Sequence, residues 1–268
     1  MVRYGEPMTT TETNERRRVT VRHVWLPRQH GAWAMLLVPF LLGVGASRPN
    51  AWQLVLAAAA LTGYLTSATL QAWGRARRPA DYRAPIGVYG AVFAVTGLIL
   101  IVVFPPLLLS LVVVVPTAIV VFQGARPGTR RDLANSLAQV AQVLVLVPAA
   151  AYVSGDVDVD GVVAYTVVAA AYLVGTVLVV RSVLRERGNV TFATLSVGFH
   201  VVMTALAIIL YPAAYALLAA GLTGRAIALP ILQRRWASGA RTLRPIHVGM
   251  VEIAASIAVV VVSFAIPP

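Results

Sequence analysis

The side chains of this chain that could do chemistry are arginines, amides and isolated histidines placed at or near the ends of apolar runs. The first group is Arg28-Gln29-His30-Gly31-Ala32-Trp33. Arg28, Gln29 and His30 offer hydrogen-bond donors where a helix begins, and a helix N-terminus attracts anions. The plainer reading is an interfacial belt anchored by Trp33. The second group runs from Gln71 through Arg75, Arg77, Arg78, Asp81 and Arg83. Gln71 and Arg75 are four apart and share a helix face, and guanidinium forks suit phosphate or carboxylate. The third is Arg181-Ser-Val-Leu-Arg185-Glu186-Arg187-Gly188-Asn189, where Arg181 and Arg185 repeat the four-residue spacing. For both arginine groups the alternative is that the charges only set membrane topology. The fourth is a stripe of amides, Asn135, Gln139 and Gln142, on one helix face. It reads either as the wall of a hydrated cavity or as adhesion between helices. His200 stands alone in the middle of an apolar run, as a functional group or as a cross-helix hydrogen bond.

Other chemistries find little support. There is no cysteine, so disulfides, thiolate metal sites and cysteine nucleophiles are excluded. No His, Asp or Glu recurs at metal-ligand spacing, and no metal site is expected. All 22 basic residues are arginine, giving a net charge of +12. On a soluble chain that would suggest nucleic acid. Here the arginines fall in short clusters between apolar runs, and the partners expected are membrane lipids rather than nucleic acid.

The elements that must position these groups follow from composition. Apolar residues make up 59% of the 268 positions and charged residues 12%, with a mean hydropathy of +0.79. Soluble domains have about 25% charged residues, so an ordinary soluble fold is excluded. Apolar stretches cover 30–46, 52–73, 85–104, 106–123, 133–153, 160–180, 191–210, 212–232 and 245–266. Each approaches the roughly 20 residues that a membrane helix needs. They are too long and too unbroken for barrel strands. The sequence therefore predicts an all-α polytopic membrane protein of nine transmembrane helices. Residues 1–24 are expected to form a disordered basic cytoplasmic tail, and residues 25–268 a single transmembrane helical domain.

The arginines alternate along the chain. They occupy the tail up to Arg28, then the second connection (Arg75, Arg77, Arg78, Arg83), the fourth (Arg126, Arg130, Arg131), the sixth (Arg181, Arg185, Arg187) and the eighth (Arg234, Arg235, Arg241, Arg244). Only Arg48 and Arg225 fall elsewhere. Under the positive-inside rule this places the N-terminus in the cytoplasm and the C-terminus outside. Two charges remain inside the apolar runs, Arg225 and Glu252. Arg225 precedes the midpoint of the eighth connection by about fourteen residues and Glu252 follows it by about thirteen, so an antiparallel hairpin holds them at nearly equal depth. An isolated charge in the bilayer costs at least about 2.5–3.5 kcal/mol. The two are therefore expected to pair, directly or through one water.

This layout, with charged connections at 2–3 and 6–7, resembles the UbiA superfamily of intramembrane prenyltransferases. The segments Leu26-Pro27-Arg28-Gln29-His30-Gly31-Ala32-Trp33-Ala34-Met35 and Val180-Arg181-Ser182-Val183-Leu184-Arg185-Glu186-Arg187-Gly188-Asn189 are similar to the YwiC-like family of bacterial membrane proteins. The resemblances imply a UbiA-like bundle in the bacterial cytoplasmic membrane. UbiA enzymes carry carboxylates in these connections that hold Mg²⁺ and, through it, an isoprenyl diphosphate. This chain instead has Gln71 and Arg75 in the first and Arg181 and Arg185 in the second. That departure predicts an arginine-lined cytoplasmic cavity, bounded by Arg28, His30, Gln71, Arg75, Arg78, Asn135, Gln139, Arg181 and Arg185, that holds an anionic phosphorylated lipid or isoprenoid without metal. A small transporter or lipid translocator, and a structural membrane protein, are the competing expectations.

Overall fold

The computed structural model describes residues 24–25, 30–74, 76, 78–124, 133–155, 157–238 and 243–268. Residues 1–23 of the tail expected at 1–24 lie outside them, as do Arg28 and Arg75, while Val24 is helical. The described residues form helices and connections, with no strand among them. The helices are α1 (His30–Gly45), α2 (Ala51–Trp73), α3 (Arg83–Val103), α4 (Leu111–Gln123), α5 (Leu133–Leu144), α6 (Leu146–Tyr152), α7 (Val159–Leu184), α8 (Val190–Leu210), α9 (Ala213–Ser238) and α10 (Pro245–Ala265). Short 3₁₀ turns at Pro79–Tyr82 and Pro105–Ser110 lead into α3 and α4.

Eight segments among the described residues are long and apolar enough to cross a membrane, with α5 and α6 together forming one. The remaining apolar segment is α1, of 16 residues. The chain is thus a multi-pass helical membrane protein.

Several boundaries differ from expectation for identifiable reasons. The stretch expected at 133–153 is divided at Val145. Pro148 has no N–H to give to Leu144, so the helical ladder is interrupted there. The helix expected to start at Pro106 begins instead with a 3₁₀ turn after Phe104. The helices expected at 160–180 and 212–232 continue to Leu184 and Ser238. Arg181, Arg234 and Arg235 therefore lie within helical turns rather than in connections. Arginine accommodates this because its apolar stem can lie along a helix while the head reaches the interface.

One end of the bundle is fastened by polar side chains. Asn50 caps α2 by accepting from Gln53 N (3.2 Å), while Gln53 Oε1 accepts from Asn50 N (3.1 Å). Asn50 Nδ2 donates to the carbonyls of Val153 and Ser154, and Gln53 Nε2 to that of Ala150 (3.0 Å). These carbonyls at the end of α6 have no partner further along a helix. The side chains that open α2 thus close α6. At the same end, α1 meets α6 closely. A Cβ on Gly43 would stand 2.6 Å from Val147 O and 2.8 Å from Ala150 Cβ, so only glycine permits this approach.

α7 is the hub, packing against α1, α5, α6, α8, α9 and α10. Its Tyr165, Ala169, Tyr172, Leu173 and Val177 form a core with Val38 and Leu42 of α1, Val140 and Val147 of α5 and α6, and Val259 of α10. Lipid tails are as apolar as these residues, so the association rests on close packing and hydrogen bonds rather than on water exclusion. α3 and α4 lie to one side. α3 pairs with α2 and α4 with α5, and both turn rows of Val, Leu and Ile outward to the bilayer.

Candidate functional sites at the helix ends and in the bundle core

The arginine end of the bundle is best defined around Arg181. Its side chain is largely covered, on the last turn of α7. Nη2 lies 3.4 Å from Glu186 Oε1, and the guanidinium carbon stands 5.9 Å from the ring centre of Phe192 on α8. Asn189 Nδ2 donates to the other Glu186 oxygen (3.2 Å), and Asn189 Oδ1 accepts from Phe192 N to cap α8. Arg187 Nε donates to Val183 O (3.2 Å), satisfying a carbonyl at the C-terminus of α7. Arg185 is exposed. Three arginines thus share one turn with a single acid, and that acid is already engaged.

The other expected site residues are distributed around this end. Gln71 Nε2 donates to Ser67 Oγ on its own helix (3.3 Å), and Arg78 is exposed just before the turn into α3. α2, which carries Gln71, packs on α1, α3 and α6; α1 and α6 also pack on α7. The contact of α2 with α6 is at the opposite end of α2, where Gln53 meets Ala150, so it does not bring Gln71 to the Arg181 turn. His30 opens α1. Trp33 meets the Tyr64 ring of α2 edge-on at 5.9 Å, so it packs against the protein where an interfacial anchor was one expectation. The amide stripe makes bonds within the protein: Asn135 is buried, its Nδ2 reaching the carbonyls of Val120 and Val121 (3.4 and 3.3 Å) and its Oδ1 accepting from Gln139 (2.7 Å). That geometry ties α4 to α5.

Mg²⁺ of the UbiA kind requires gathered carboxylates. Among the described residues no three His, Cys, Asp or Glu side chains come together. Glu186 faces Arg181 and Asn189, and Asp81 is exposed. The described side chains do not fit that ion.

The densest polar cluster lies deeper, among α7, α8, α9 and α10. Arg225 Nη1 and Glu252 Oε2 are 2.6 Å apart, as their depths in the sequence predict. Thr176 Oγ1 donates to the same carboxylate oxygen (2.9 Å). Tyr172 OH stands 2.7 Å from Ser256 Oγ and 3.2 Å from the Glu252 carbonyl. His200 is buried on α8, with Nδ1 at 2.7 Å from Ser196 O. Its Nε2 is so close to Gly175 that a Cβ there would come within 2.8 Å. Thr204 of α8 and Thr223 of α9 join hydroxyls at 2.8 Å. Reasoning on sequence finds the ion pair and misses its support. The signal is nonetheless there, since Tyr172/Thr176 and Glu252/Ser256 are each four apart and each share a helix face.

Fold and polar geometry together define a polytopic helical membrane protein with charge both at one end and in its core. The chain matches the YwiC-like protein family over residues 26–151, which includes the Arg28–Trp33 motif. It is 32% identical over 197 residues to the uncharacterized protein YwiC of Bacillus subtilis (strain 168), covering 72% of this chain and 81% of that protein. The chain belongs to the YwiC-like family. No solved structure matches it.

Proposed function

We propose that this protein holds an anionic phosphorylated headgroup, of a lipid or an isoprenoid, at the arginine end of a UbiA-like bundle in the bacterial cytoplasmic membrane. The observation that carries the reading is the Arg181–Arg187 segment, which holds three arginines and one acid, Glu186, that is already paired with Arg181. Arg28, His30, Gln71, Arg75, Arg78, Asn135 and Gln139 complete the proposed rim. A phosphate there gains charge-assisted bonds without a metal. The arginine alternation supports a cytoplasmic N-terminus and an outer C-terminus. Reporters fused after Arg78 and after Pro268 are expected on opposite faces, the first cytoplasmic, and finding both on one face would remove the arrangement.

The binding test is lipid retention by the double variant Arg75→Gln/Arg185→Gln, measured by mass spectrometry of the purified protein. Two lost bonds to charged groups weaken retention by about 3–6 kcal/mol in total. Unchanged retention would leave the arginines as topology signals only. A second reading, a small transporter or lipid translocator, is favoured by the interrupted α5–α6 span and the ion pair at depth, features common in transporters.

A further inference from the structure

The Arg225–Glu252 pair carries more unmet hydrogen-bonding capacity than a structural fastening should. Arg225 Nε and Nη2 and Glu252 Oε1 are buried and have no partner among the described residues. The two side chains are only 6% and 7% exposed. A buried ion pair recovers its desolvation only when its remaining polar atoms are also bonded. Here Glu252 Oε2 receives two donors, from Arg225 and Thr176, and Oε1 none. Nε and Nη2 form the lateral edge of a guanidinium, the edge that grips two oxygens of one carboxylate or phosphate.

The surroundings limit what can bind. Toward the arginine end lies an apolar layer of Val179, Val183, Ala226, Leu229, Leu243 and Val248. On the other side Tyr172 and Ser256 lead into the apolar core around Ala169 and Val259. The pair itself is neutral, and uncompensated charge in this layer is costly. A dianion is therefore disfavoured. An oxyacid group bearing one proton fits, since it offers two acceptors to Arg225 and one donor to Glu252 Oε1.

We propose that Arg225 and Glu252 form an intramembrane binding site for a carboxylic acid or a phosphate monoanion that keeps a proton, with Arg225 Nε and Nη2 as the gripping edge and Glu252 Oε1 accepting a hydrogen bond from the group's proton. Thr176 positions the carboxylate by holding Oε2. This site is separate from the proposed rim, lying about five residues, or about 7.5 Å of helix rise, below Arg181 along α7.

The test uses the full chain in phosphatidylcholine nanodiscs, with the thermal unfolding midpoint followed as probe is added. Acetate and inorganic phosphate are the soluble probes; oleate and phosphatidic acid, built into the disc, are the amphiphilic ones. At least one probe is expected to raise the midpoint of the wild type. A response to the soluble probes assigns a free anion, and a response only to the amphiphilic ones assigns a headgroup. Arg225→Lys keeps a charge against Glu252 but has no lateral edge, so about tenfold more probe is needed for the same shift, equivalent to about one charge-assisted bond. Glu252→Gln removes the opposing charge and is expected to shift the response the other way, to lower probe concentration. Gly97→Ala, on the lipid-facing α3, responds as the wild type. No response of the wild type to any probe would overturn the proposal. So would a wild-type response in either Arg225→Lys or Glu252→Gln, which would leave the pair as a fastening between helices.

Discussion

α3 and α7 have similar hydropathy and opposite surroundings. Both spans are strongly apolar, yet 6% of the stretch at α3 and 50% of that at α7 is buried within the protein. Hydropathy registers that a helix belongs in a bilayer and is silent on whether it faces lipid or protein. α7 also sends three hydroxyls to α10. Thr96 of α3 turns back to Val92 O on its own helix (2.7 Å). On α7, Tyr165 reaches Ser263 O (3.0 Å), Tyr172 reaches Ser256 and Thr176 reaches Glu252. In lipid a hydroxyl that bonds its own backbone needs no neighbour, whereas one that points outward needs a partner on another helix. The second kind marks the load shared among α7, α8, α9 and α10.

The strongest way to test this contrast is to break the core pair. Arg225→Ala leaves Glu252 buried without its cation and is expected to destabilise the protein by about 3–5 kcal/mol, while Arg225→Met/Glu252→Met costs much less. Thermal unfolding in detergent checks both, and a double variant as damaged as the single one would dissociate the loss from an orphaned charge. Next is a matched pair of glycines. Gly43→Ala drives a Cβ against the backbone of α6 and is expected to cost about 1–3 kcal/mol by overpacking. Gly97→Ala on α3, which meets nothing within 4 Å, is expected to be neutral or to stabilise by up to about 1 kcal/mol through helix propensity. Equal effects would erase the distinction between wing and hub. The smallest change is at the seam between them: Asn135→Leu removes the amide that holds Val120 and Val121 carbonyls and is expected to cost about 1–2 kcal/mol, with faster proteolysis between α4 and α5.

How much of this was legible depends on whether a feature is local. The apolar stretches, and the depth match of Arg225 with Glu252, follow from counting along the chain. So does the Asn135/Gln139 face, although spacing alone does not choose between a cavity wall and a seam. The α5–α6 interruption is equally local, since Pro148 announces it, but hydropathy averages over the break. Helix ends at Arg181 and Arg234 were harder, because a long arginine stem is compatible with both helix and connection. What sequence does not carry is adjacency: that Thr176 and Tyr172 meet Glu252 and Ser256, or that His200 presses on Gly175, depends on which helices become neighbours around α7.

The contact that admits only glycine has a consequence for motion. Leu42 is fully buried and Gly43 lies against the α6 backbone. Sliding α1 by one helical turn would bring Pro39 or Ser47 to the place Gly43 holds, and neither fits there. α1 and α6 therefore move as one piece, fixed by the absence of a side chain rather than by a bond.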